Sequence, residues 1–166
     1  MNKLETKLDK NYLYKSKENY LEYKNIVKDL LKNDMVQEMK LYNHHYTSTC
    51  YSHSLEVSYY SFCIAKKMHL DYISTARAGL LHDLFLYDWK TDKNHGKLHG
   101  IYHPQTALKN AMKICPLSTK EKDIIIKHMW PVTLRLPRYP ESYLVTLVDK
   151  YCASRESYSY LKNYVK

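Results

Sequence analysis

The most informative segment of the chain is AGLLHDLF, residues 78–85, in which His82 and Asp83 follow an apolar helical run. Removing an imidazole and a carboxylate from water costs free energy, and a bound cation can compensate that cost. We therefore expect a helix over about residues 73–86 that carries the two side chains near its end, where they face a cation.

Two more histidines lie at the starts of predicted helices. His53 falls in the first turns of a helix that residues 47–52 cap and that runs to about Met68. His103 opens another helix, because Pro104 fits the first helical position. Each of these histidines is a candidate metal ligand.

Two further candidates lie at the ends of helices. His128 ends a helix that begins with the capping box Ser118–Glu121. Asp149 ends an apolar run in a helix of about residues 141–152, and a last helix of about 154–164 follows. With helices also predicted over about 16–32 and 34–42, and with only 3 Gly and 5 Pro, the chain is predicted to be all-α.

The order of a histidine, a His-Asp pair and a distant aspartate on separate helices resembles the HD superfamily of metal-dependent phosphohydrolases, over about residues 45–156. This resemblance implies a single compact helical bundle, the HD domain, with residues 1–44 as an N-terminal helical cap and 157–166 as a C-terminal helix packed on it. It also implies a first metal site, whose ligands are His53, His82, Asp83 and Asp149.

The positions of His103 and His128 resemble those of the additional ligands in dinuclear HD proteins, such as the HD-GYP cyclic-dinucleotide phosphodiesterases and the HD diadenosine tetraphosphate hydrolases. By this resemblance Asp83 bridges two ions, and His103 and His128 hold the second ion, with His99 as an alternative to His103. Imidazole and carboxylate ligands suit one or two divalent ions of iron, manganese, nickel, cobalt or zinc.

The chain departs from the better-known HD families at two places. The lysine that often follows the His-Asp pair is missing, and Met129 follows His128 where the cyclic-dinucleotide enzymes have a second histidine. These departures argue against cyclic-dinucleotide hydrolysis. The strings LYDW, residues 86–89, and KHMWP, residues 127–131, resemble a less-characterised group of stand-alone bacterial HD proteins.

The resemblance implies hydrolysis of a phosphate ester or anhydride of a small metabolite, a nucleotide or dinucleotide, by a metal-activated water, with His82 and Asp83 as catalytic residues. The expected substrate contacts are Lys150, Arg135, His45 and Trp130. Two alternatives stay open at this point. One is an HD-fold di-iron oxygenase, and the other is a non-catalytic metal-binding signalling module.

The composition and charge of the chain limit the classes of molecule that it is expected to bind. The net charge of +9 comes mostly from dispersed lysines with only four arginines, which argues against nucleic acid and suits an anionic small substrate. No apolar run is long enough to span a membrane, the N-terminus is not a signal peptide, and the four cysteines form no CxxC pair, so we expect a cytoplasmic protein. An exposed tyrosine surface around Tyr158, Tyr160 and Tyr164 would fit a homodimer.

Overall fold

The computed structural model describes residues 16–44, 48–91 and 98–164, and within these ranges the protein is built of α-helices. The seven α-helices of this part are α1 (Lys17–Lys32), α2 (Asp34–Glu38), α3 (Cys50–Lys67), α4 (Tyr72–Leu81), α5 (His99–Ile114), α6 (Thr119–Lys127) and α7 (Pro140–Tyr164). A 3-10 turn at Met39–Leu41 follows α2, and the only extended pairing among the described residues is an isolated bridge between Asn43 and Thr49. The all-α prediction is confirmed.

Side-chain caps define where two of the site-bearing helices begin. At the start of α3, the Thr49 hydroxyl accepts a hydrogen bond from the Ser52 backbone N–H at 3.1 Å, and the Ser52 hydroxyl accepts one from the Thr49 N–H at 3.0 Å. The predicted capping box of α6 is confirmed, since Ser118 and Glu121 satisfy each other's backbone N–H groups. Each such cap stabilises a helix by about 1 kcal/mol.

Helices α3 and α4 form the centre of the bundle, and both also pack against α7. Their close approach depends on Gly79, because a Cβ atom at this position would lie 3.0 Å from the Cα of Ser58. The Ser58 hydroxyl donates to the Ala76 carbonyl at 2.6 Å and accepts from the Tyr23 hydroxyl at 3.0 Å. One polar side chain in the core thus joins α1, α3 and α4 without leaving a buried group unpaired.

Helix α4 is shorter than predicted. It ends at Leu81, whereas the sequence predicted an end near residue 86. His82 is the C-cap residue, and Leu86 has a φ of 50°. A residue in the left-handed region cannot continue a right-handed helix and costs about 1–2 kcal/mol for a residue with a side chain. The predicted helix could therefore not continue through Leu86, and the Leu84 and Phe85 N–H groups already donate to the Leu81 and Asp83 carbonyls instead of following the helical pattern.

Helix α5 begins earlier than predicted. It starts at His99 rather than at His103, so Pro104 lies inside the helix instead of at its first position. Pro104 is the sixth residue of this helix, so the Gly100 carbonyl lacks the N–H donor that it would otherwise have there.

The two C-terminal helices that the sequence predicts are one continuous helix, α7. The predicted break near Ala153 and Ser154 was wrong because neither residue is a strong helix breaker. Arg155, just beyond the predicted break, makes an ion pair with Glu56 of α3 and holds this part of α7 against α3.

Two further observations bear on the environment of the protein. Among the described residues, no helix combines the length and the apolar character that crossing a bilayer requires. All four cysteines are free thiols, and three of them are buried: Cys50, Cys63 and Cys152.

Candidate metal centre

The six predicted metal ligands come together in the middle of the bundle. They belong to five separate parts of the chain, and their exposed fractions are 7% or less. The six are His53 of α3, His82 and Asp83 after α4, His103 of α5, His128 after α6, and Asp149 of α7. Burial of so many polar side chains at one place requires that their charges and lone pairs compensate one another or a cation.

Helix ends orient two of the histidines in the same way. His82 and His128 are the C-cap residues of α4 and α6, and both keep helical backbone angles. The Nδ1 atom of His82 lies 2.8 Å from the Gly79 carbonyl, and the Nδ1 atom of His128 lies 2.8 Å from the Ile125 carbonyl. In each case the ring is hydrogen-bonded to the backbone carbonyl three residues earlier. That carbonyl belongs to the last turn of the helix, whose carbonyl groups have no N–H partner within the helix.

These carbonyls determine which nitrogen carries the proton. A carbonyl oxygen only accepts hydrogen bonds, so the Nδ1 atoms of His82 and His128 must be the donors. The same holds for His103, whose Nδ1 atom lies 2.8 Å from the His99 carbonyl. In the neutral form all three rings therefore present the lone pair of Nε2, which is the usual arrangement of metal-binding histidines.

One half of the centre lies between α3, α4 and α7. The Asp149 Oδ1 atom is 2.9 Å from His53 Nε2 and 3.5 Å from His82 Nε2. His82 Nε2 is also 3.5 Å from Asp83 Oδ2. Two donor atoms at about 2.1 Å from one ion lie about 3.0 Å apart in an octahedron and about 3.4 Å apart in a tetrahedron. The spacing of His53, His82 and Asp149 fits one ion, and Asp83 lies beside His82.

The other half lies between α4, α5 and α6. The Asp83 Oδ1 atom is 3.2 Å from His103 Nε2 and 3.4 Å from His128 Nε2. The two Nε2 atoms are 2.8 Å apart. Because both present lone pairs, they repel each other unless a cation lies between or beside them. This donor set fits a second ion.

Asp83 connects the two halves, since Oδ2 faces the first set of ligands and Oδ1 the second. Two of the buried atoms here, His82 Nε2 and Asp83 Oδ1, have no hydrogen-bond partner in the described part of the protein. An unsatisfied buried polar atom costs about 1–3 kcal/mol, which coordination of a metal would offset. The residues present fit a metal ion in both halves.

Electrostatics keep the carboxylates ionised. Burial would raise the pKa of Asp83 and Asp149, but the neighbouring imidazoles hold both well below the usual range. Burial would lower the pKa of His53, but hydrogen bonds with Asp149 and Glu156 raise it to about 9. Burial dominates at His128, whose pKa is lowered, so that its ring is neutral at pH 7.

Three of the four predicted substrate contacts lie within the described residues, and they are placed less centrally. Lys150 is nearest, because its Nζ atom donates to the His128 carbonyl at 3.0 Å and lies 3.8 Å from Asp149 Oδ2. Arg135 is exposed on the loop between α6 and α7, and the partly buried Trp130 packs edge-on against Tyr143. His45 lies outside the described residues.

His99 is close to the centre without being among its ligands. Its carbonyl orients His103, and its ring stacks between His103 and Trp89, with centroid distances of 4.5 and 5.4 Å. The Tyr87 hydroxyl is hydrogen-bonded to its Nδ1 atom at 3.0 Å. Burial and the nearby His103 lower the pKa of His99 to about 4, so its ring is neutral at pH 7.

Two residues that the sequence did not single out as ligands also belong to the centre. His44 Nε2 lies 3.1 Å from Asp83 Oδ2, and the His44 ring stacks on that of His53 with 3.6 Å between centroids. Glu156 contacts His53 Nδ1 at 3.2 Å. Glu156 lies seven residues after Asp149, a spacing that places both side chains on one face of a continuous helix. This relationship was missed from the sequence, because a break in α7 was predicted between the two residues.

Comparisons with known proteins identify no relative. No protein-family model matches the chain, and searches of curated proteins and of solved structures find no similar protein. The fold and the centre by themselves define a helical protein with a buried His/Asp cluster that could hold metal, an arrangement compatible with an HD-like fold.

Proposed function

We propose that the protein is a metal-dependent phosphohydrolase of the HD type. Its substrate would be a phosphate ester or anhydride of a small metabolite, a nucleotide or dinucleotide, and its cofactor two divalent transition-metal ions. The observation that carries the proposal is the position of Asp83, whose two oxygens face two separate groups of histidine Nε2 atoms. A carboxylate in this position suits a bridge between neighbouring ions.

The donor set suits this chemistry. Ions bound by imidazole and carboxylate ligands supply a water of lowered pKa and offset the charge that develops on phosphate oxygens. The chain itself supplies a rigid frame, since backbone carbonyls fix three of the rings. Burial of the ligands keeps bulk water away from them and strengthens their electrostatic interactions.

Cationic side chains at the edge of the centre suit an anionic substrate. Lys150 uses one N–H on the His128 carbonyl, and an ammonium group has three, so it retains donors for a phosphate oxygen. Its side chain is 38% exposed, which leaves it accessible from solvent. The overall charge of +9 would favour the approach of an anion from a distance.

The first experiment is the metal content per chain, measured by elemental mass spectrometry on protein purified without chelator or a nickel column. About two transition-metal ions per chain would support the dinuclear proposal, and one ion would reduce it to the first site. Protein that binds no metal even after reconstitution would overturn the proposal.

A second experiment separates the classes of enzyme. Phosphate release from nucleotides and dinucleoside polyphosphates under anaerobic conditions would support the phosphohydrolase. Oxygen consumption by a mixed-valent iron form would support the oxygenase instead. Bound ions with neither activity would favour the non-catalytic module. The predicted homodimer stays a prediction, with Tyr158 exposed and Tyr160 partly buried.

A further inference from the structure

His53 is the one predicted histidine ligand whose ring is held from both sides by carboxylates of the same helix. Asp149 and Glu156 lie seven residues apart on α7 and face α3 together. Asp149 Oδ1 is 2.9 Å from His53 Nε2, and Glu156 Oε1 is 3.2 Å from His53 Nδ1. The ring between them is completely buried.

The orienting partner of His53 differs in kind from those of the other histidines. His82, His103 and His128 each donate from Nδ1 to a backbone carbonyl. His53 lies in the first turns of α3, and its Nδ1 atom faces the side chain of Glu156 instead. An ionised carboxylate only accepts, so His53 Nδ1 donates to Glu156 and the ring is fixed with Nε2 toward Asp149, where an ion could replace the Nε2 proton.

The second oxygen of Glu156 reaches the segment before α3. The Ser48 hydroxyl donates to Glu156 Oε2 at 2.5 Å, and His44 Nδ1 lies 3.6 Å from the same oxygen. His44 in turn stacks on His53 and approaches Asp83 Oδ2. One carboxylate therefore contacts a ligand ring as well as Ser48 and His44.

We propose that Glu156 is the positioning residue of the first metal site: its carboxylate accepts from Nδ1 of His53 and so fixes the orientation of that ring. The inference rests on the metal site proposed above. It extends that site to a residue that acts through His53 rather than on the ion.

The test measures affinity for Co²⁺ by competition with a chelator, in wild type, Glu156→Ala and Glu156→Gln. Loss of such an orienting partner weakens metal binding about 10–100-fold, and we expect this loss in Glu156→Ala for the first ion alone. Glu156→Gln retains a carbonyl oxygen that can accept from Nδ1, so its loss should be smaller. Equal weakening of both ions, or no weakening in Glu156→Ala, would overturn the proposal.

Glu56→Ala is the matched control for folding. Glu56 also joins α3 to α7, through its ion pair with Arg155, but it touches none of the ligands. Its removal should lower thermal stability and leave Co²⁺ affinity unchanged. If Glu56→Ala weakens the first ion as much as Glu156→Ala does, then Glu156 acts through helix packing and not through His53.

A double-mutant cycle tests the route of the effect. In a His53→Ala background, Glu156→Ala should cause no additional loss of Co²⁺ affinity, because the ring on which it acts is gone. Additive losses would contradict the proposal. Nitrogen-15 NMR of the His53 ring gives an independent readout: in wild type Nδ1 should carry a proton that is hydrogen-bonded to Glu156, and the Nδ1 resonance should shift in Glu156→Ala.

The two proposals fail in different ways. If wild-type protein binds no Co²⁺, the metal site itself is wrong. If wild type binds Co²⁺ and Glu156→Ala binds it equally well, the proposed metal site is supported and the proposed role of Glu156 is contradicted.

Discussion

His103 and His128 bring their Nε2 atoms to 2.8 Å of each other, although the Nδ1 atom of each ring already faces a backbone carbonyl. Two imidazoles in this tautomer meet lone pair to lone pair, which is unfavourable without a cation. Asp83 Oδ1 lies within 3.4 Å of both nitrogens. These three donor atoms of α5, the C-cap of α6 and the turn after α4 could therefore hold a cation.

Asp83→Ala is expected to remove both ions, because its two oxygens face the two groups of ligands. Metal content per chain, measured by elemental mass spectrometry, should fall to near zero. Asp88→Ala is the control, since its carboxylate bonds the Lys90 backbone N–H in the same loop. Full metal content in Asp83→Ala would rule out the bridging role.

His128→Ala is expected to lose the second ion and keep the first. His128 contacts Asp83 and His103 through Nε2, whereas the contacts among His53, His82 and Asp149 do not involve it. Chelator competition should then show one ion per chain. His69→Ala, at an exposed position, should keep both. Retention of two ions in His128→Ala would favour a different second site.

Gly79→Ala should destabilise the fold. The added Cβ would lie 3.0 Å from backbone at Ser58, so α3 and α4 must separate slightly, at a cost of about 1–3 kcal/mol. Gly100→Ala is the matched control in α5, where the nearest atom is the flexible Met129 Cε at 3.4 Å. There the higher helix propensity of alanine should raise stability by up to about 1 kcal/mol. Urea unfolding measures both, and equal effects would contradict the packing argument.

Asp123 should make stability depend on pH. Burial would raise its pKa, but the Lys127 ammonium, the Arg138 N–H and the Ser142 hydroxyl lower it. The folded pKa thus lies below the unfolded value of about 3.9, so the contribution is present above pH ~4 and is lost as pH falls through the folded pKa.

Asp123→Asn tests this dependence by urea unfolding from pH 7 to pH 3. At pH 7 the variant should be less stable by about 1–3 kcal/mol, because the buried partners on Arg138 and Ser142 lose a charged acceptor. The difference from wild type should shrink in acid. A difference that stays constant over this range would show that the Asp123 charge does not contribute.

Much of the helical framework could be predicted from the sequence because the signals are local. The capping box at Ser118 and Glu121 and the apolar spacing of α1 depend on residues within a few turns of one another. The helix ends were predicted less accurately where side chains distant in the sequence determine them. The C-terminal half of α7 continues past Ser154 because Arg155 and Glu156 find partners on or next to α3.

The sequence by itself determined the helical class and the set of ligand-type side chains, since both depend on composition and on the order of residues along the chain. Only the tertiary structure decided that Asp83 faces two groups of histidines, that His44 and Glu156 join them, and that His99 contributes its carbonyl rather than its ring. These relationships join residues up to 103 positions apart. Ring orientation and distance across a bundle arise from packing between helices, and no local pattern in the sequence encodes them.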